Sequence, residues 1–278
     1  MPDHRTDSPD NAQDLLNTLG RLVDQAVERI KLQRARVELA MALQRHLLPQ
    51  ELPQLPGLRI AARYAPSQDG LDVGGDWYDA FLMTDGSVGI AIGDVQGHDM
   101  EAVAFMGQVR TSLRALARTA TDPGEVLSHA NDLLLSMGFG LFATCCFLRF
   151  DPSSGDLVLS RAGHLPLVWA GADGRSSITL DHGGPPLGIL PGERYPVTRR
   201  RLTEPGSLVL FTDGVVEGPC YPMEEGLSEV ARLVRAGYDT NPDDLAAAVI
   251  KVADLTGHSD DAAVLVARYD GIPGRQDW

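Results

Sequence analysis

Ile92-Gly93-Asp94-Val95-Gln96-Gly97-His98-Asp99 closes an apolar strand over residues 87–94 and leads into a helix over about 101–118. Val103, Met106, Val109, Leu113 and Leu116 form that helix's apolar stripe. The same layout, a carboxylate beside glycine at the end of a strand, recurs along the chain. Gly74-Gly75-Asp76-Trp77-Tyr78-Asp79 opens a strand over 77–83, and Leu210-Phe211-Thr212-Asp213-Gly214 closes one over 207–212. Ser259-Asp260-Asp261-Ala262 opens the last, 262–268. Further strand-sized runs cover 58–65, 141–150, 157–161, 166–170 and 197–202, with helices over 123–136 and 242–256. Helices that interrupt runs of neighbouring strands predict an α+β fold of two antiparallel sheets with helices packed outside them.

The chain has 278 residues, 24 Lys plus Arg against 38 Asp plus Glu, and a formal charge of -14. With 44% hydrophobic residues it has the composition of a folded chain long enough to bury a full core, not of a disordered or disulfide-stapled one. The acidic balance opposes nucleic acid and anionic lipid, and no basic patch offsets it. Three cysteines, two of them adjacent at Cys145 and Cys146, form no metal-type pair and suit a reducing cytosol as small buried residues. The start, MPDHRTDSPDNA, lacks a signal layout, so a cytoplasmic location is expected.

After a disordered start, 1–13, residues 14–48 read as one long helix with no proline and a single glycine, Gly20. Leu16, Leu19, Val23, Ala26, Ile30, Gln33, Val37, Ala40, Gln44 and Leu47 keep a 3-4 spacing, the pattern of a parallel two-stranded coiled coil. Ala26, Ala40, Gln33 and Gln44 make the seam marginal. A homodimer through residues 16–47 is therefore expected, ahead of the alternative in which the stripe packs on the body of its own chain. Three prolines in a connector, 49–57, stop the helix. The strand-rich domain then occupies 58–270, followed by a tail, 271–278.

Partly buried carboxylates at strand ends are costly unless neutralised, and the chain has too few nearby Lys or Arg to neutralise all of them. Divalent ions would do so. All-oxygen ligation by Asp suits Mg²⁺ or Mn²⁺ better than zinc. Carboxylates from several strands can hold two such ions about 3.5–4 Å apart, a spacing that clamps a transferring phosphoryl group.

In order, the segments VGGDWYDAF (73–81), IGDVQGHDMEAVAFMGQVR (92–110), ATCCFLRFDPSSGDLVLSRAGHLPLVW (143–169), GGPPLGI (183–189), LVLFTDGVVE (208–217) and SDDAAVLVAR (259–268) resemble the metal-dependent PPM serine/threonine phosphatases, in their bacterial SpoIIE/RsbU branch. The resemblance spans about 58–268 and implies an α-β-β-α sandwich with a two-metal site. It implies Asp94 as the carboxylate shared by both ions, the Val95 carbonyl as a further ligand, and Asp76 on one ion. Asp213 would hold the other with one of Asp260 and Asp261, Asp260 being favoured because its neighbour aligns with a position often occupied by Asn. A water acidified by the ions would attack phosphorus in line.

Two positions depart from the pattern. Gln96 stands where better-known eukaryotic relatives carry a His thought to protonate the leaving group. Asp99 stands where Gly is usual after Gly97-His98. Asp99 could reach a metal-bound water, and His98 reads as a capping or supporting residue ahead of a proton carrier. Gly163-His164-Leu165-Pro166 reads as a structural turn, Gly183-Gly184-Pro185-Pro186-Leu187-Gly188 as a rigid loop near the substrate, and Trp77 and Tyr78 as packing.

The implied function is dephosphorylation of phosphoserine or phosphothreonine in a protein, by family inference a STAS-type anti-sigma-factor antagonist in a partner-switching pathway. The alternatives are a non-catalytic phosphoprotein-binding module and a small-molecule phosphoesterase. Input is expected through the long helix, whose shift would move residues 94–110.

Overall fold

Ten strands among the described residues pair into two five-stranded antiparallel sheets. The structure is a computed structural model and describes residues 9–66, 74–97, 99–120, 122–178, 182–219, 221–257 and 260–272. One sheet runs β1 (Leu58–Ala65), β10 (Ala262–Tyr269), β9 (Gly206–Phe211), β6 (Val168–Gly171), β7 (Ser176–Ile178). The other runs β2 (Trp77–Leu82), β3 (Val88–Val95), β4 (Ala143–Asp151), β5 (Asp156–Ala162), β8 (Val197–Arg201). The helices are α1 (Pro9–Leu47), α2 (Met100–Leu116), α3 (Pro123–Met137), α4 (Met223–Ala236), α5 (Pro242–Ile250) and α6 (Ala253–Thr256).

Side chains alternate across each strand, and the alternation sorts them into three cores. Val88, Ile90 and Ile92 of β3 meet Leu208 and Leu210 of β9 and Ala263, Leu265 and Ala267 of β10 between the sheets. On the outer face of the second sheet, Trp77, Phe81 and Ala91 pack with Val103 and Met106 of α2 and Leu127 of α3. On the outer face of the first, Val209, Phe211, Val264 and Val266 pack with Val230 and Val234 of α4 and Val249 of α5. The layers are therefore α-β-β-α, as the sequence predicts.

Local chemistry sets the helix ends. Asp99 caps α2, its Oδ1 accepting the Glu101 and Ala102 N–H groups at 3.0 Å each. Asp122 caps α3, whose first residue is Pro123, and Gly138 ends it at φ 71°. Three features depart from the sequence reading. β7 and α4 carry no clear sequence signal, and the pattern of α4 is interrupted by Gly226, which a close approach to Val216 requires: an added Cβ would lie 2.2 Å from the Val216 carbonyl oxygen. The single helix expected over 242–256 is two, separated at Lys251 and Val252.

α1 begins at Pro9, inside the segment expected to be a disordered start; residues 1–8 of that segment lie outside the described residues, as do 273–278 of the tail. The heptad stripe divides. Leu16, Leu19, Val23 and Ile30 are 49–62% exposed, whereas Val37 is buried and Met41 and Leu47 pack on the cluster built around α2. Leu47 rests against Gly107, where an added Cβ would come within 3.2 Å of it. The last third of the helix is thus seated on its own chain, and the first two-thirds carry an uncovered apolar stripe.

Candidate metal centre

Continuing the strand alternation outwards brings the acids together. Asp76 precedes β2 by one residue and follows the inward row of Tyr78 and Ala80; Asp94 continues the row of Val88, Ile90 and Ile92. Both rows end at the same edge, where Asp213 opens a 3-10 turn, Asp213–Val215, one residue, Thr212, after β9. Carboxylate oxygens of Asp76, Asp94 and Asp213 all lie within 4.8 Å of one another.

Close backbone approach makes this possible. Val95 donates its N–H to the Gly75 carbonyl at 3.3 Å, and a Cβ on Gly75 would stand 2.2 Å from the Val95 carbonyl oxygen. Gly214 lies equally close to Asp261, whose carbonyl oxygen a Cβ would meet at 2.0 Å. Only glycine permits these two approaches. Asp213 Oδ1 accepts the Gly214 N–H at 2.9 Å.

The cluster is electrostatically frustrated. Burial, then the charges of Asp94 and Asp213, push the Asp76 carboxyl well above its ordinary range, against the lowering effect of a hydrogen bond from Thr212. Asp94 is pushed up to about 8 by burial and by Asp213, Asp260 and Asp261. Asp213 is raised by burial. Among the described residues no Lys or Arg pairs with any of the three. Hard, oxygen-rich and short of positive charge, the donor set fits a divalent cation of the Mg²⁺ or Mn²⁺ kind.

Asp260 and Asp261 point different ways. Asp261 is 3% exposed, with its Oδ2 accepting from the Tyr64 hydroxyl. Asp260 is exposed; its Oδ1 accepts the Asp261 N–H at 2.8 Å, and it shares with Asp213, Gly214 and Glu217 the wall of a cavity of about 290 Å³ at the mouth of the cluster. Gly97 takes a left-handed φ of 104°, Asp99 is occupied as the cap of α2, and His98 lies outside the described residues. Gln96 is exposed and donates its N–H to the Phe142 carbonyl at 3.0 Å.

Asp79, quoted with Asp76 in the same motif, belongs elsewhere. Three residues on, it falls on the outer face and meets α2: Arg114 reaches it at 2.7 and 3.1 Å and Arg110 at 3.3 Å. His164 is a buried support, its Nδ1 2.9 Å from Oγ1 of Thr144, the cross-strand partner of Asp94. Burial pushes its imidazole down to about 3, so it is neutral. Two site residues escaped the sequence reading. Thr212 lies inside the Leu210–Gly214 motif but beside its acid; Tyr64, at the end of β1, carries no local signal.

Two face-to-face antiparallel sheets, flanked by helices and with aspartates converging at one end, make up a PPM-type, PP2C-like fold. The family described as Stage II sporulation protein E (SpoIIE) matches residues 84–270, and the chain belongs to it. It is similar to the phosphoserine phosphatase RsbU of Bacillus subtilis, at 27% identity over 66% of this chain and 54% of that protein. The crystal structure of the RsbU and RsbW domains of a Mycobacterium tuberculosis protein superposes with a TM-score of 0.72 and 30% identity, covering 81% of this chain and 64% of that one. RsbX, solved in complex with magnesium, shares the fold at 14% identity and a TM-score of 0.62, over 79% of this chain and 99% of that one. The chain spans about half the length of the curated relatives it matches.

Proposed function

We propose that this chain is a divalent-metal-dependent protein phosphatase acting on phosphoserine or phosphothreonine. The observation that carries the reading is the convergence of Asp76, Asp94 and Asp213 within 4.8 Å, with no Lys or Arg paired to them among the described residues. Asp76, Asp94 and the Val95 carbonyl would hold one Mn²⁺ or Mg²⁺ ion, and Asp94, Asp213 and Asp260 a second. The outward aim of Asp260 into the cavity it shares with Asp213 favours it over Asp261 as the ligand. Two bound ions supply an acidified water and neutralise the phosphoryl oxygens.

The protein's own residues supply position. Gly75 and Gly214 keep the ligand-bearing turns in contact, and Thr212 orients Asp76. Gln96 is exposed where eukaryotic relatives carry a general acid, so the leaving serine takes its proton from solvent. Glu217, Gly218 and Pro219 form the cavity wall that a phosphorylated side chain would pass.

The substrate reading is a phosphorylated STAS-type anti-sigma-factor antagonist, which membership of the SpoIIE family and the likeness to RsbU support. Residues 58–270 are read as the catalytic domain, and 14–48 with the connector 49–57 as the input segment. The exposed stripe of Leu16, Leu19, Val23 and Ile30 supports a homodimer through α1. No helix among the described residues is long and apolar enough to cross a membrane; the two buried thiols, Cys145 and Cys146, fit the cytoplasm as the place of action.

Turnover of a phosphomonoester and of a phosphoserine peptide, with and without Mn²⁺, tests the reading. Asp94→Asn is expected to lower metal-dependent turnover by about a hundredfold or more. Equal turnover by that variant refutes it. Metal-dependent hydrolysis of the monoester alone favours the small-molecule reading, and tight phosphoprotein binding without hydrolysis the binding module.

A further inference from the structure

Asp261 occupies a compartment shaped for a carboxylate. Its Oδ2 lies 1.6 Å from where a Cβ on Gly74 would be, so the carboxylate fills the space that a side chain there would take. On the other side stands Tyr64. In the β1–β10 ladder Tyr64 pairs with Ala263, and Ala263 and Asp261 lie two residues apart, on one face. The phenol therefore reaches the diagonal neighbour, a span of about 7–8 Å that a long side chain bridges. Its hydroxyl donates to Asp261 Oδ2.

Ring packing alone explains part of Tyr64, which contacts both the inter-sheet core and the core beneath α2. Packing does not call for the hydroxyl. The hydroxyl instead meets a carboxylate that is 3% exposed and whose charge acts on both Asp76 and Asp94. The phenol also lines a groove of about 500 Å³ with Met41, Leu48, Pro49 and Tyr78, where the end of α1 meets the connector.

We infer that Tyr64 is a positioning residue for the metal centre: by donating to Asp261 it fixes that carboxylate against Gly74, which leaves Asp260 turned towards Asp213. The inference rests on the metal-centre reading above and adds to it the residue that sets the Asp260–Asp261 arm. Removing the partner of a metal-ligating group typically changes metal affinity by about 10–100-fold, and Tyr64 acts one step further out, through Asp261, which sets the lower end of that range.

Calorimetric titration of the metal-stripped full chain with Mn²⁺ tests it, using Tyr64→Phe, Asp261→Asn and the double variant. Tyr64→Phe keeps the ring and is expected to bind Mn²⁺ about tenfold more weakly. Its metal-free unfolding midpoint should fall no further than that of Asp261→Asn, since both changes remove the same hydrogen bond, and its circular dichroism should match the parent, which separates positioning from a packing defect. Because Tyr64 acts through Asp261, the double variant should bind Mn²⁺ no more weakly than Asp261→Asn alone. Parent-like affinity in Tyr64→Phe, or additive losses in the double variant, overturns the inference. A parent chain that binds Mn²⁺ but hydrolyses no phosphoester refutes the phosphatase reading while leaving the binding comparison decisive for Tyr64.

Discussion

The hydroxyl of Thr212 donates to Oδ2 of Asp76 at 2.7 Å, joining the end of β9 in one sheet to the entry of β2 in the other. Oγ1 of Thr212 in turn accepts the Ala263 N–H at 2.8 Å, so one buried hydroxyl ties three segments that reach the cluster. Thr212→Val keeps the shape and removes both bonds. It leaves a buried N–H without its acceptor and Asp76 without its donor, and is expected to destabilise the fold by about 1–3 kcal/mol. Urea unfolding checks the loss, and Mn²⁺ titration should show a weaker site. A Val variant as stable as the parent would mean that the two hydrogen bonds add nothing net to the fold.

Metal-free protein should lose stability as pH rises. Asp94 titrates at about 8 in the fold and near 3.8 when unperturbed, and Asp76 and Asp213 are raised as well, all chiefly by burial. Between those values the folded state holds more protons than the unfolded one, so the slope of unfolding free energy against pH is negative. Stability from these groups is complete below about pH 4 and falls as pH climbs towards 8. Saturating Mn²⁺ holds the carboxylates ionised and should remove the fall; Asp94→Asn without metal should flatten it. Unfolding midpoints from pH 5 to 8, in chelator and in Mn²⁺, decide the matter, and identical slopes in the two conditions would count against a metal site.

Arg114 grips Asp79 through two hydrogen bonds and lies 4.9 Å over the Phe81 ring, pinning α2 to β2 just behind the cluster. Asp79 is 1% exposed, so it depends on this partner and on Arg110. Because the Arg114 side chain is about half exposed, Arg114→Met is expected to cost about 1–2 kcal/mol, not the full cost of breaking a buried pair. Asp79→Asn should also destabilise, and neither change should abolish Mn²⁺ binding. Loss of metal binding in Asp79→Asn would place Asp79 in the centre after all.

The two parts of α1 should respond differently to charge. Leu19→Asp with Ile30→Asp alters positions exposed in the single chain, so it should abolish self-association and remove only the concentration-dependent part of the unfolding midpoint. Val37→Asp, at a buried position, should cost about 1–3 kcal/mol whatever the oligomeric state. Sedimentation equilibrium together with thermal unfolding checks both. A monomeric parent chain removes the dimer from the proposal.

Much of the fold and the candidate acids were legible because both rest on short-range patterns. Apolar runs, glycine beside carboxylate and the 3-4 spacing of α1 depend on local geometry, and Asp76, Asp94, Asp213 and the Asp260–Asp261 pair were all read from them. Alternation along β2 already separates Asp76 from Asp79 by an odd number of residues. The helical spacing of α1 could not say where its stripe would be covered, because every seam position looks alike until Gly107 receives Leu47.

The sequence by itself determined the two-sheet class, the kind of ion its oxygens suit and the identity of the strand-end acids, since periodicity and ligand chemistry belong to neighbouring residues. Only the tertiary structure decided that Asp79 turns away to α2, that Asp261 is buried against Tyr64 while Asp260 lines the cavity, and that Thr212 reaches Asp76. Those choices depend on pairing between strands far apart in the chain: β1 meets β10 with Tyr64 opposite Ala263, and no local pattern encodes that register.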